Sequence, residues 1–236
     1  MPFAPVFHAE WIKIRTLRSL PAALAAMLLA TTAFSALAAA DDTASDPLFS
    51  AFFGISFGQI AAIAFGTTAV SAEFRGGALR LTLSAVPDRR RWFAAKAMAI
   101  ALPVLAVGLL TGLVTLLAGR AVLGASAPAW SEGLRGALGC GLDLTLMALF
   151  AAGLAAVLRS GTATLSLLIP FVLIVSFVVG DMSGGVADFL PDRAGQVILH
   201  SSWDGSLGPW TGLAVTAGWT AAALLAGAWS LHRRDA

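Results

Sequence analysis

Charge is scarce in this chain. Asp, Glu, Lys and Arg make up 12% of its 236 residues, where an ordinary soluble domain carries about 25%. Lysine is nearly absent: only Lys13 and Lys96 occur, preceded by Ile12 and Ala95. A P-loop needs Gly-Lys ahead of Ser or Thr, so the chain has no such site for ATP. The one cysteine, Cys140, excludes an internal disulfide. His8, His200 and His232 lie too far apart in sequence to make a metal site by spacing. There is no evident nucleophile and base pair, and no catalytic, metal or cofactor residue is assigned. The chain is therefore not expected to be an enzyme in its own right. Its formal net charge is only +2, so a pI near 9.3 does not point to nucleic acid.

Apolar sequence is what the chain has in abundance. Hydrophobic residues reach 58% and mean hydropathy is +0.84. Most apolar runs are about 20 residues long, enough for a helix to cross roughly 30 Å of hydrocarbon. They do not alternate, which argues against a transmembrane barrel. Six spans are predicted, at about 20–40, 48–72, 94–118, 134–158, 162–180 and 207–231, in a single all-α membrane domain covering 1–236. Backbone groups in hydrocarbon must be satisfied within their own segment, so each span is read as a helix.

The cations are unevenly shared between the two sides of this threading. Twelve of the fifteen Lys and Arg fall on one side: Lys13, Arg15 and Arg18, six between residues 71 and 96, then Arg159, Arg233 and Arg234. Only Arg120, Arg135 and Arg193 fall on the other. The positive-inside rule therefore places both termini in the cytoplasm. Asp41, Asp42, Asp46, Asp181, Asp188, Asp192 and Asp204 lean to the outer side.

The first segment, "FAPVFHAEWIKIRTLRS", spaces Phe3, Phe7, Trp11 and Ile14 by four, four and three. That gives one apolar face, beside or interrupted by Lys13, Arg15 and Arg18. A helix over 1–19 lying in the inner membrane interface is expected; an ordinary basic flank of the first span is the plainer alternative. Residues 1–40 also carry the marks of a secretory signal, with small residues in "SALAAADD". The apolar run is longer than such signals use, and Glu10 and Trp11 sit in a patterned leader, so retention is preferred.

The stretch "SAEFRGGALRLTLSAVPDRRRWFAAK" gathers six of the fifteen cations between two apolar runs. Glu73 sits where the second span ends, followed by Phe74 and Arg75. Gly76 and Gly77 predict a break. Leu79, Leu83 and Val86 share a helical face that leaves Arg80 and Ser84 off it, although Leu79, Leu81 and Leu83 also alternate as in a strand. Pro87 ends the element, Asp88 is placed to cap the next helix, and Arg89, Arg90 and Arg91 anchor its start. A charged connection of this kind, at 73–93, suits docking of a cytosolic protein.

That stretch resembles the loop of bacterial ABC-2 type permeases, the membrane subunits of ATP-driven exporters. The family pattern runs Glu, aromatic, Arg, variable, Gly, a small residue, a hydrophobic-Arg pair, then Pro, basic residues and Ala-Ala-Lys. Glu73, Phe74, Arg75, Gly77, Arg80, Pro87 and Lys96 match it; the Gly76-Gly77 pair departs, since the family often follows one glycine with a β-branched residue. "EWIKIRTLRS", "FLPDRAGQVI", "PWTGLAVTAGW" and "LHRRDA" are similar to the family's interfacial helix, the segment before its last span, its last helix and its tail. The resemblance implies six helices per subunit, a second permease subunit (a homodimer is expected), and two copies of a cytosolic ABC ATPase, which carry the ATP and Mg. It implies a multi-pass location in a bacterial cytoplasmic membrane, lipid contact and no nucleic acid.

Asp143 is the one acidic residue within a span. It reads either as part of a substrate path or gate, or as a hydrogen-bonded aspartate about 6 Å from the outer boundary, within reach of water or a hydroxyl. Pro170 interrupts the fifth span and frees the Ser166 carbonyl, so a kink is expected there. Gly208, Gly212 and Gly218 favour close packing of the last span. The outer segment, 181–206, carries Val186, Phe189, Leu190, Val197 and Ile198 and resembles the short outer helices of these permeases. The expected function is export of an amphipathic or hydrophobic peptide, drug or lipid, driven by a separate ATPase. An ion-coupled secondary transporter and a non-transporting immunity or assembly protein are the alternatives.

Overall fold

A computed structural model describes residues 2–40, 46–175, 178, 185, 187–202 and 206–233. Helices and no strand are found among these residues. Leader residues form α1 (Phe3–Thr16), and the first apolar run forms α2 (Ser19–Ala39). The second run is divided into α3 (Pro47–Phe52) and α4 (Ile55–Ser71). A short helix, α5 (Ala78–Ala85), precedes α6 (Arg89–Leu123) and α7 (Trp130–Leu158). The fifth run begins as α8 (Gly161–Pro170) and continues as a π-helical stretch, Phe171–Val175. A short α9 (Pro191–Gln196) precedes α10 (Pro209–Arg233).

Five segments are long and apolar enough to cross a membrane: Ser19–Ala39, Pro47–Phe74, Arg89–Ser126, Trp130–Leu158 and Pro209–Arg233. The expected fifth span is represented by the shorter apolar helix Gly161–Ile174; its last residues, 176–177 and 179–180, lie outside the described residues, as do Asp41, Asp42, Asp181, Val186, Asp204 and Arg234. Leu29, Leu37, Leu117 and Leu225 stand exposed on the flanks of these helices. So much bare leucine suits hydrocarbon, not water. The chain is an all-α multi-pass membrane protein.

α7 is the central helix. Its apolar window is 67% buried within the protein, against 22% for α2, and it packs against α4, α6 and α10. Small residues permit this closeness. A Cβ at Gly66 would sit 1.9 Å from the Ala148 carbonyl oxygen, and one at Gly153 2.5 Å from the Ala223 carbonyl carbon. On α10 the glycine expectation holds at Gly212, which abuts the Ala194 carbonyl. It fails at Gly218, where a Cβ would meet nothing within 4 Å, because that residue faces outward.

α6, at 35 residues, is about 52 Å long and overshoots the hydrocarbon. Its first turn lies beside α1 and α5, and this end of the bundle is the basic end. Pro170 closes the α-helical part of α8, and the chain passes into the wider π-helical winding. A kink is the expectation at Pro170; the change seen there is one of winding, at the residue whose missing N–H and crowded ring interrupt the α-helical ladder.

Candidate coupling surface at the basic end

The residues after α4 turn sharply. A 3-10 turn, Ala72–Phe74, leads into Gly76 and Gly77 at φ of 60° and 76°. These left-handed conformations cost a β-carbon-bearing residue steric strain but suit glycine. The helix-or-strand ambiguity of "ALRLTLSA" resolves as helix α5. Leu79 is buried and Leu83 half-buried, while Arg80, Leu81 and Ser84 are exposed. Leu81 is 74% exposed. Pro87 ends the element, and the Asp88 carboxylate accepts from the Arg91 N–H at 3.1 Å, capping α6 as expected. Arg89 donates to the Leu231 carbonyl, which ties α6 to the end of α10. Arg91 pairs with Asp88 at 3.5 Å, and the Arg159 guanidinium lies over the Phe74 ring at 5.7 Å. Arg75, Gly76, Gly77, Arg80, Pro87 and Arg90 are exposed together with Arg15 and Arg18 of the neighbouring leader.

Beneath this cationic surface lies a buried ionic knot. Lys96 is 2% exposed and pairs with Glu73 at 2.7 Å and with Glu10. Lys13 bonds to Glu10 and Glu73, each at 2.9 Å, and donates to Thr82. The Trp92 indole donates to Glu10 at 3.0 Å. The only two lysines in the chain thus face two buried carboxylates, so the knot balances its own charge. It joins α1, the turn after α4, α5 and α6. Desolvation pulls the Lys13 ammonium down, but its bonds and charge pairing with Glu10 and Glu73 outweigh this and hold it above its ordinary value.

This placement corrects the reading of Glu73 as part of an outward docking face. Glu73 is 4% exposed and turned inward, so it positions the surface and does not form it. Lys96, matched only by resemblance, proves to be the centre of the knot. Glu10 was missed as a site residue. It lies on the stripe Val6, Glu10, Ile14, which is the buried face of α1. The expected stripe, Phe3, Phe7 and Trp11, stacks on itself, with ring centroids 6.5 and 6.2 Å apart, and stays at least partly exposed. Only Ile14 of the expected face is buried. Beside the knot, an open groove of about 460 Å³ has walls of Ile14, Leu17, Leu20, Ala69 and Leu81 over a floor of Lys13, Glu73 and Lys96.

The two candidate pathway residues belong to separate clusters. The residues flanking Pro170, Leu168 and Val172, pack with Ile63, Met147 and Phe150. Asp143 is fully buried, and its Oδ2 accepts from the Gln59 side-chain amide at 2.8 Å. The expectation of water or a hydroxyl is thereby corrected: α9 covers this face of α7 and excludes solvent. At the end of the bundle opposite the basic one, Asp46 caps α3 through Leu48 and Phe49 and accepts from the Ser201 N–H and hydroxyl. His200 lies 3.1 Å from it and stacks on Phe49. Burial pushes the Asp46 carboxyl upward, but these donors and the His200 ring hold it below its ordinary value.

Gly54-Ile55-Ser56-Phe57-Gly58 has the letters of a hydrolase nucleophile elbow. It opens α4 with no strand before it, and Gly54 and Gly58 are filled by contact with Thr31. The letters here serve helix packing. Among the described residues no three His, Cys, Asp or Glu are grouped to hold a metal. No protein-family model matches the chain, and no curated protein matches it.

Proposed function

We propose that this chain is the membrane subunit of an ATP-driven exporter of the ABC-2 type, and that its basic end is where a separate cytosolic ATPase docks. The carrying observation is an exposed cationic and apolar face, Arg75, Arg80, Leu81 and Arg90, mounted on a buried, charge-balanced knot. A push on α5 is transmitted through Glu73 and Lys13 to α1, and through Lys96 to the long helix α6. Rigid, ion-paired groups transmit a load where solvated loops would absorb it. The sequence holds no P-loop, which supports a motor outside these residues. The resemblance of residues 71–96 to ABC-2 permeases supports the same reading.

In this proposal the chain crosses a bacterial cytoplasmic membrane six times, with the 161–180 segment as the fifth crossing and both termini inside. Two copies pair, two ATPase subunits bind below them, and ATP hydrolysis rocks the paired bundles between inward and outward states. The cargo is amphipathic or hydrophobic, in keeping with the apolar walls and ionic floor of the groove beside α1.

The test is purification from native membranes in mild detergent. An ATPase subunit is expected to co-purify with the unaltered chain. It should be lost from the triple variant Arg75→Glu, Arg80→Glu, Arg90→Glu while the variant remains folded. Undiminished binding to that variant would remove the docking assignment, and the absence of any nucleotide-hydrolysing partner would remove the exporter reading.

A further inference from the structure

The chain contains two kinds of buried carboxylate. Glu10 and Glu73 each touch two lysines. Asp143 has no such support. It is 0% exposed, and no Lys or Arg among the described residues lies within ion-pair distance of it. Among the described residues its one hydrogen bond comes from a neutral amide, Gln59 Nε2. That amide is fixed in orientation because Gln59 Oε1 accepts from Gln196 Nε2 at 3.2 Å. The other carboxyl oxygen, Oδ1, is buried without a hydrogen-bond partner among the described residues. It lies against α9, where a Cβ at Gly195 would come within 1.9 Å of it.

Among the described residues the surroundings offer no compensating charge. α9 contributes Asp192, which is buried and acidic. α7 itself contributes Cys140, one turn earlier. α4 supplies Gln59, and α10 supplies Thr216, whose hydroxyl is committed to the Pro191 and Gly212 carbonyls. α6 meets this stretch of α7 through Gly108 and Leu109. Burying a lone carboxylate is so unfavourable that such a group neutralises instead. A bound metal does not fit, since Gly195 occupies the space at Oδ1 and no third ligand group is present among the described residues.

We infer that Asp143 is a reversible proton-binding site, carrying one proton on Oδ1 while α9 is seated on it and releasing it to water when α9 lifts. On release the O–H bond breaks, its electron pair stays on the carboxylate, and the proton passes to water admitted beneath α9. On return the reverse occurs and α9 reseats, with Gly195 against Asp143 of α7 and the Ala194 carbonyl against Gly212 of α10. The site lies apart from the docking face, so either can fail without the other.

Infrared difference spectroscopy of the whole protein in lipid nanodiscs reads this directly. A protonated carboxylic-acid band should be present near neutral pH and disappear in Asp143→Asn. Asp192→Asn should retain the band. Gln59→Leu, which leaves the carboxyl in place but removes its N–H donor, should shift the band's position. This arm decides the matter if Asp143→Asn does not fold. Gly195→Ala forces α9 away and should cost the band at neutral pH. A spectrum unchanged by Asp143→Asn or by Gln59→Leu, a band lost in Asp192→Asn, or a band indifferent to Gly195→Ala would each overturn the proposal.

Discussion

Removing Lys96 should release the leader helix from the bundle. Lys96 is 2% exposed and holds Glu10 and Glu73 together. In Lys96→Met the volume is largely kept, yet two buried carboxylates remain with Lys13 as their only lysine. The Lys13 side chain is 43% exposed, and it already uses its donors on Glu10, Glu73 and Thr82. Breaking one side of a buried pair costs about 3–5 kcal/mol. At about 1.4 kcal/mol per tenfold change, the population with α1 detached should rise by roughly two to three and a half orders of magnitude. Hydrogen–deuterium exchange of the α1 amides from Val6 to Ile14 measures this, with the core of α7 as internal control. Glu10→Gln in the same chain restores charge balance and should recover much of the protection, because the two substitutions act on one contact. Loss of protection below tenfold in Lys96→Met, or simple additivity in the double variant, would refute the reasoning.

Other consequences follow from the same geometry. The Lys13 ammonium is held above its ordinary value of 10.5, so its stabilising contribution is complete below that value and fades as pH rises through the folded value. Exchange of α1 amides should therefore accelerate in strong alkali, and Lys13→Gln should flatten that limb. Asp46 is depressed below its ordinary value of 3.8. Its contribution is present above that value and is lost as pH falls through the lower folded one. Asp46→Asn should abolish this acid-labile loosening of α3 from residues 200–201, and Asp46→Ala should cost about 1 kcal/mol as a lost cap, both read by thermal unfolding. Gly66→Val drives a side chain into the Ala148 carbonyl and should destabilise by about 1–3 kcal/mol. Gly218→Ala meets nothing and should be neutral or stabilising by about 0.5–1 kcal/mol.

Local chemistry was the legible part of the chain. The Gly76-Gly77 break, the stop at Pro87, the Asp88 cap and the interruption at Pro170 each depend on one or two residues and their own backbone. So did the long apolar runs, whose length answers to the thickness of a bilayer. Pairings across the sequence were not legible. Glu73 stands in a cationic connection, and composition there points to a solvated face. What turns it inward is Lys13, 60 residues earlier, and Lys96, 23 residues later. Glu10 gave one usable signal: an acidic residue in line with Val6 and Ile14 on an amphipathic helix. The burial of Asp143 depends on α9 folding back across α7, which neither segment encodes alone. Counting residues from the membrane edge placed it near water, but depth in a bilayer does not set exposure when another helix covers the site.

The central claim is that the basic face fronts the cytosol. Single cysteines at Arg80 and at Ser201, each in a Cys140→Ser background, can be probed with a membrane-impermeant maleimide. Arg80→Cys should label in inverted membrane vesicles and remain unlabelled in intact cells, with Ser201→Cys showing the reverse. Labelling of Arg80→Cys in intact cells would contradict the account.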